Sequence, residues 1–259
     1  MFRMFCLRTP LPTFKPIGPP VRTMSSSQPN RIFAPGTSNE NSQAEQYTKG
    51  SLDHHQLDPS PFTQFDTWFK HAQSNKVYQP ETVTLSTAEL PSGRVSARMV
   101  YLKSMDDRGF VIYSNWGTSR KASDVASNPH ASLVFWWREL ERQVRVEGPC
   151  HRLTNEESQV YYDTRIRGSR IGAWASPQSQ VLSGREELEQ RVKDIEQKFE
   201  GRDKIDVPEF WGGLRVVPEV VEFWQGRESR LHDRYRYRKA GDKDGEQTDD
   251  GWVIERLSP

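Results

Sequence analysis

Residues 81–105 read ETVTLSTAELPSGRVSARMVYLKSM. Val83 and Leu85 recur with a period of two among threonines and a serine, which is the pattern of a half-buried strand. Pro91-Ser92-Gly93 is turn chemistry, and the alternation resumes beyond it, so the stretch reads as a β-hairpin. In the second arm, Arg98, Val100 and Leu102 face one side, and Met99, Tyr101 and Lys103 face the other. Two cations bracketing an apolar strand centre either snorkel to solvent or serve a site.

Working outward, GFVIYSNW at 109–116 and ASLVFWW at 131–137 are further β-rich runs. Between them, SRKASDVASNP at 119–129 reads as a short helix closed by Asn128-Pro129. RQVRVEGPCHRL at 142–153 alternates again. That makes about five strands before residue 153, joined mostly by connections too short for βαβ crossovers, so the sheet is expected to be antiparallel. Upstream, Asp58-Pro59-Ser60-Pro61 announces a helix carrying Phe62, Phe65, Phe69 and Ala72 at helical spacing.

Downstream, NEESQVYYDTR at 155–165 and SGREELEQRVKDIEQKFEG at 183–201 are helical. In the second, Ser183 and Glu186 suggest a capping box, Leu188, Val192, Ile195 and Phe199 an apolar stripe, and Gly201 a stop. The tail returns to strands in LRVVPEVVEFWQG, RLHDRYRYRK and WVIERL, with a Gly- and Asp-rich turn at 241–251. The expected fold class is mainly β with flanking α-helices, an antiparallel barrel with helices packed outside it.

Composition bounds the function. The 259 residues carry a formal charge of +1, so no global field draws the chain to nucleic acid or to a membrane surface. Eight tryptophans and twelve phenylalanines, mostly after Pro61, place the core in the later part of the chain. Two cysteines, Cys6 and Cys150, make a disulfide framework improbable and fit a reducing compartment. Residues 1–39 lack Asp and Glu but carry Arg3, Arg8, Lys15, Arg22 and Arg31, which suits either an organellar transit peptide or a plain disordered tail. Met24 offers an alternative start. The expected division is a tail over 1–46 and one domain over 47–259, working in the cytoplasm or in mitochondria.

Familiar catalytic signatures are missing: no GxGxxG, GxxxxGK[ST], HExxH, CxxC pair or GxSxG occurs, and the six histidines lack metal spacing. What remains is a set of cations and amides in or beside the β-runs. Ser119-Arg120-Lys121 opens a predicted helix, where backbone N–H groups favour an anion and added cations require one. Tyr161 and Arg165 stand four apart on a predicted helix with Ser169 just beyond, either a solvated face or a three-donor surface. Gln143 falls in a β-run, where an edge position is the ordinary reading, and Gln178-Ser179 in a loop. RYRYRK resembles a nucleic-acid strip, yet as a strand its tyrosines and arginines separate onto opposite faces. WQGRESRLHDR at 224–234 crowds Arg227, Arg230, His232 and Arg234 behind Trp224.

In order, PFTQFDTWF, SARMVYLK, SNWGTSRKASDVASNPHASLVFWW, RQVRVEGP, IGAWASPQSQV, WGGLRVVPEVVEFWQGRESRLHDR and ERLSP resemble the pyridoxine (pyridoxamine) 5'-phosphate oxidase family. The resemblance spans about Tyr47 to Pro259. It implies an FMN-binding split β-barrel that forms a homodimer with FMN at the subunit interface. It further implies that Arg98, Met99, Val100, Tyr101, Tyr113 and Ser114 contact FMN, that Arg120 and Lys121 hold its phosphate, and that Gln143, Gln178, Ser179, Trp224 and Arg234 complete the flavin site. Lys103, Tyr161, Arg165 and Ser169 would bind the substrate phosphate, and Arg230, Leu231 and His232 would lie over the substrate ring, with Arg230 and His232 catalytic. Ala44 stands where the family often carries an arginine on a segment covering the substrate, so any lid here works through Tyr47 and Lys49 or is weaker.

The implied reaction is hydride transfer from C4' of pyridoxamine or pyridoxine 5'-phosphate to the flavin, followed by reoxidation with dioxygen. No nucleophile or metal is needed for it. Rival readings are a flavin reductase on the same barrel, a non-catalytic pyridoxal 5'-phosphate carrier, and a nucleic-acid module. The substrate-phosphate set argues against the first, oxygen uptake separates the second, and the charge balance disfavours the third.

Overall fold

The computed structural model describes residues 46–241 and 247–259. The segment 1–45, with Cys6, Met24 and Ala44, lies outside the described residues, as do 242–246 of the turn expected at 241–251. The strands are β1 (Thr82–Glu89), β2 (Arg94–Asp106), β3 (Gly109–Asn115), β4 (His130–Trp137), β5 (Arg142–Arg152), β6 (Trp211–Val216), β7 (Val220–Gln225), β8 (Asp233–Lys239) and β9 (Trp252–Leu257). The helices are α1 (Pro61–Ser74), α2 (Arg120–Ser127), α3 (Asn155–Asp163), α4 (Arg167–Ala175) and α5 (Arg185–Lys198).

The hairpin forms as its alternation requires, with Val83 opposite Val100 and Leu85 opposite Arg98. Antiparallel pairing runs β4-β1-β2-β3-β6-β5, and β4 also pairs with β5, so these six strands close into a barrel. The fold is therefore mainly β, with helices flanking the barrel. Strand β5 is shared. Its residues 142–147 pair with β7, while 150–152 pair with β6 on the same edge. The chain passes from β6 to β7 so close to β5 that a Cβ at Gly148 would stand 1.9 Å from the Val217 carbonyl oxygen. Only glycine fits there. From β7 the sheet continues through β8 to β9.

Period-two sorting builds the core. Val83, Leu85, Leu133, Phe135, Val144, Val146, Val221 and Phe223 are buried together, and α1 adds Phe65, Trp68 and Ala72. The Phe65 ring meets Phe110 and Phe135, each at 5.0 Å. Burying a side chain of that size contributes about 2–3 kcal/mol. A second cluster of Tyr162, Ile171, Phe199, Ile205, Val207 and Trp211 seats α3, α4 and α5.

Local details depart from expectation. Residues 167–175, to which no element was assigned, form α4. Arg165 lies past the end of α3 and Ser169 stands on α4, so Tyr161, Arg165 and Ser169 do not share one helix. Helix α5 starts after Gly184, and the capping contacts run from the Ser183 N–H and hydroxyl to Glu187, each 2.9 Å, rather than to Glu186. Phe199 is the C-cap residue, buried just beyond the helix. Gln143 is not at an edge, because β5 has neighbours on both sides.

The outer face of β2 is apolar and uncovered, with Val95 71%, Met99 63% and Tyr101 44% exposed. Among the described residues no helix is long and apolar enough to cross a membrane.

Candidate functional site

The start of α2 is built by side chains that bond to backbone. Asn115 Oδ1 accepts from the N–H groups of Gly117 and Thr118, and the Ser119 hydroxyl donates to the Asn115 carbonyl at 2.6 Å. Ser119 caps the helix by accepting from Ala122 N–H. This rigid turn projects Arg120 and Lys121 toward the loop after α4. There, Lys121 Nζ donates to Gln178 Oε1 at 2.7 Å, Ser114 donates to the same oxygen at 3.2 Å, and Arg120 N–H donates to Ser179 Oγ at 3.3 Å. Burial, aided by the Arg98 charge, lowers the Lys121 ammonium to about 8.

An anion does offset the cations at this helix start, and it is internal. Asp124, fully buried, accepts from Thr87 at 2.6 Å, Ser96 at 2.7 Å and Arg120 Nε at 2.9 Å. Arg98 approaches the same carboxylate at 3.8 Å and donates to Thr87, Ser96 and the Leu85 carbonyl. Arg98, Ser114, Arg120, Lys121, Gln178 and Ser179 are therefore brought together by these contacts. Asp124 and Asn115, which hold them, carry no motif that sequence reasoning could single out.

Beside this cluster lies a cavity of about 360 Å³ lined by Tyr113, Ser114, Asn115, Arg165, Ser169, Gly172, Ala173, Ser176, Gln178 and Trp211. Tyr161 stacks on Tyr113 with centroids 4.1 Å apart. The Arg165 guanidinium lies 4.6 Å from the Trp211 ring centroid, and its Nη1 is buried without a hydrogen-bond partner. A buried guanidinium nitrogen with no acceptor is costly unless a ligand supplies one. Lys103 does not line this cavity; its ammonium lies over the Tyr101 ring on the outer face, at the β-bulge between Leu102 and Ser104.

A second group lies on the outer face of the sheet. Gln143 pairs across to Trp224, and Trp224 to Arg234, so the three sit side by side on β5, β7 and β8. With Val134, Arg145, Glu222 and Pro259 they line a cavity of about 320 Å³. Met99 and Tyr101 point outward from β2, while Arg98 and Val100 turn the other way, so strand alternation splits that run of four.

In the 224–234 stretch the cations differ in their engagement. Arg227 pairs with Asp233 and Arg234 with Glu222, whereas Arg230 has no hydrogen bond or ion pair among the described residues. Arg230 ends a short turn, Glu228–Arg230, where both Ser229 (φ 55) and Arg230 (φ 62) hold left-handed backbone. Leu231 is 68% exposed. His232 Nδ1 accepts from Arg227 N–H at 3.1 Å and its ring lies 4.6 Å from Trp224. Burial, with Arg230 and Arg234 nearby, lowers the His232 pKa, so it is neutral near pH 7 and carries its proton on Nε2. Tyr47 covers this corner, packing edge-on against Trp136, Trp224 and His232, while Lys49 is tied to Glu139 and Glu141. Arg236 and Arg238 both pair with Glu255, so these arginines of the RYRYRK strip are engaged within the sheet.

These donors suit a flat, phosphorylated cofactor such as FMN. Two cations and Ser179 gather at a helix start, an amide, a tryptophan and an arginine form an outer wall, and Arg165, with its buried Nη1 unpartnered, lines the cavity flanked by β3, β6 and α4.

Comparisons with known proteins give the family. Residues 69–199 match the family described as Pyridoxamine 5'-phosphate oxidase, and residues 211–259 match the Pyridoxine 5'-phosphate oxidase C-terminal dimerisation region. The chain is 49% identical over 229 residues to the pyridoxamine 5'-phosphate oxidase of Saccharomyces cerevisiae, spanning 88% of this chain and 95% of that one. It is 50% identical over 214 residues to the pyridoxine/pyridoxamine 5'-phosphate oxidase of Rubrobacter xylanophilus, spanning 83% and 94%. Among solved structures, PhzG from Burkholderia lata in complex with tetrahydrophenazine-1-carboxylic acid aligns with a TM-score of 0.70 at 28% identity, over 80% of this chain and 98% of that one.

Proposed function

The chain belongs to the pyridoxamine 5'-phosphate oxidase family, and from that premise we propose how its residues divide the oxidation of pyridoxamine and pyridoxine 5'-phosphates to pyridoxal 5'-phosphate. The protein is an oxidase of these B6 phosphates. FMN is the cofactor. When bound, it supplies the two-electron oxidation at C4' and returns the electrons to dioxygen, giving hydrogen peroxide. The amine substrate is oxidised to an imine, which water hydrolyses to the aldehyde and ammonia, and the alcohol gives the aldehyde directly.

Arg98, Arg120 and Lys121, with Ser114, Gln178 and Ser179, hold the FMN phosphate and ribityl end. Charge-assisted contacts of this kind are the strong ones. Met99, Tyr101, Gln143, Trp224 and Arg234 wall the ring, with Tyr113 on the side of the phosphate cluster and Val100, whose side chain turns inward, adding main-chain contacts. Tyr161, Arg165 and Ser169 take the substrate phosphate, and Lys103, on the outer face of β2, joins them across the subunit interface. Arg230, Leu231 and His232 lie over the substrate ring. Arg230 orients C4', since its guanidinium is uncommitted, and His232 presents Nε2–H. Positioning of the two rings, with water kept out, is the protein's main contribution.

The observation that carries this reading is the shared cavity: Arg165 and Ser169 from the substrate set meet Tyr113, Ser114 and Gln178 from the cofactor set around one space. The outer wall of Gln143, Trp224 and Arg234 lines a different cavity. A homodimer, with the apolar face of β2 at its interface, would bring the wall of one protomer to the phosphate cluster of its partner. The match of residues 211–259 to a dimerisation region supports this. The working domain is 47–259, in a cytoplasmic or mitochondrial compartment, a reading supported only by the acid-poor composition of residues 1–39.

The test is to strip the protein of flavin, add FMN, and follow oxygen with pyridoxamine 5'-phosphate as substrate. Oxygen uptake with equimolar peroxide is expected. No uptake with saturating FMN would overturn the reading.

A further inference from the structure

Strand β7 carries one buried carboxylate that the account above leaves without a task. Glu222 is 4% exposed and sits between two arginines: Oε2 accepts from Arg145 Nη2 at 2.7 Å, and Oε1 accepts from Arg234 Nε at 2.8 Å. Arg145 also pairs with Glu147 at 2.8 Å, so an ion ladder Glu147–Arg145–Glu222–Arg234 crosses β5, β7 and β8. Arg234 Nη1 donates to the Ser258 carbonyl at 2.9 Å. With Nε and Nη1 committed, Nη2 is the one nitrogen of that guanidinium without a partner among the described residues. Arg145, Glu222 and Arg234 line the same outer cavity as Gln143 and Trp224.

We propose that Glu222 is a positioning residue: it fixes the Arg234 guanidinium toward the flavin ring and, with Arg145, sets the net charge that the ring meets. This rests on the FMN placement given above and assigns a task to residues outside it. The physical reason is the balance of charges. Two guanidiniums and two carboxylates cancel, so Arg234 offers a directed donor without surplus positive charge. A carboxylate this buried would be costly without such partners. Removing its charge leaves one guanidinium uncompensated beside a ring that becomes more negative on reduction, which favours the reduced form.

The experiment measures the flavin midpoint potential at saturating FMN. Glu222→Gln keeps the shape and an acceptor oxygen but loses the charge, and is expected to shift the potential to more positive values. In an Arg234→Ala background the same substitution is expected to give less than about half that shift, because coupled residues are non-additive. Arg145→Met, at a side chain 40% exposed, leaves Glu222 its pairing with Arg234 and is expected to shift the potential the opposite way; it carries the test if Glu222→Gln does not fold. Equal shifts in both backgrounds, or none from either substitution, would overturn the proposal. A wild-type protein that binds no FMN would instead overturn the cofactor reading on which it rests.

Discussion

The ammonium of Lys121 donates to the side-chain oxygen of Gln178 at 2.7 Å, tying the first turn of α2 to the loop after α4. Lys121 is 6% exposed, and burial together with the Arg98 charge lowers it to about 8. Below that pH it is charged and ready for a phosphate dianion. Above it, the proton must be taken up from solution when the anion binds. FMN affinity of the flavin-free protein is therefore expected to fall as pH rises past about 8, by up to about tenfold per pH unit. Fluorescence quenching of FMN across pH 6.5–9.5 checks this, and Lys121→Met is expected to weaken binding and flatten the profile.

Arg165 predicts opposite effects on stability and on substrate binding. Its Nη1 is buried with no acceptor, and desolvation lowers its pKa. Arg165→Met replaces an uncompensated buried cation with an apolar side chain that can still lie on Trp211. Thermal stability of the substrate-free protein is expected to hold or rise, while KM for pyridoxamine 5'-phosphate increases by about one to two orders of magnitude, the scale of a lost charged contact. Calorimetry and steady-state kinetics on the same preparation read both.

Asp124 is the structural counterpart. Burial alone would raise its pKa, but the hydrogen bonds from Thr87, Ser96 and Arg120 lower it below its ordinary value. Its contribution is present above the unfolded carboxylate range and is lost as pH falls through the lowered value. Asp124→Ala strands two hydroxyls and two guanidiniums, so a loss of about 3–5 kcal/mol is expected in urea unfolding at pH 7. Retention of FMN should fall with it, since Arg98 and Arg120 lose their anchor.

Arg230 stands on an exposed turn with no partner among the described residues, so its removal disturbs no core. Arg230→Ala is expected to lower kcat/KM by about two orders of magnitude or more, the loss typical of one positioned charged donor. FMN should remain bound. Near-normal turnover would remove Arg230 from the chemistry.

Much of this site was legible before the structure because its elements obey short-range rules. The hairpin at 81–105, the Ser119 cap and the buried tyrosines of β8 follow from period and capping alone. Helix α4 was missed for a physical reason: Gly168 and Gly172 weaken its propensity, and Ile166 at its N-cap makes no side-chain bond. The sharing of β5 between β6 and β7 is a tertiary choice, marked only by Gly148. Asp124 and Glu222 were overlooked because a carboxylate's importance lies in partners distant in the chain, Thr87 and Ser96 for one, Arg145 for the other. Tyr47 was named only through the family resemblance, since its contacts with Trp136 and Trp224 join parts of the chain that no local pattern connects.

The most direct measurement is an absorption spectrum of the purified, FMN-loaded protein under anaerobic conditions, taken before and after adding pyridoxamine 5'-phosphate. The account predicts that the flavin band near the blue end of the visible spectrum bleaches on addition and returns when air is admitted. A band that stays unchanged with saturating substrate, or a protein that takes up no FMN, would contradict it.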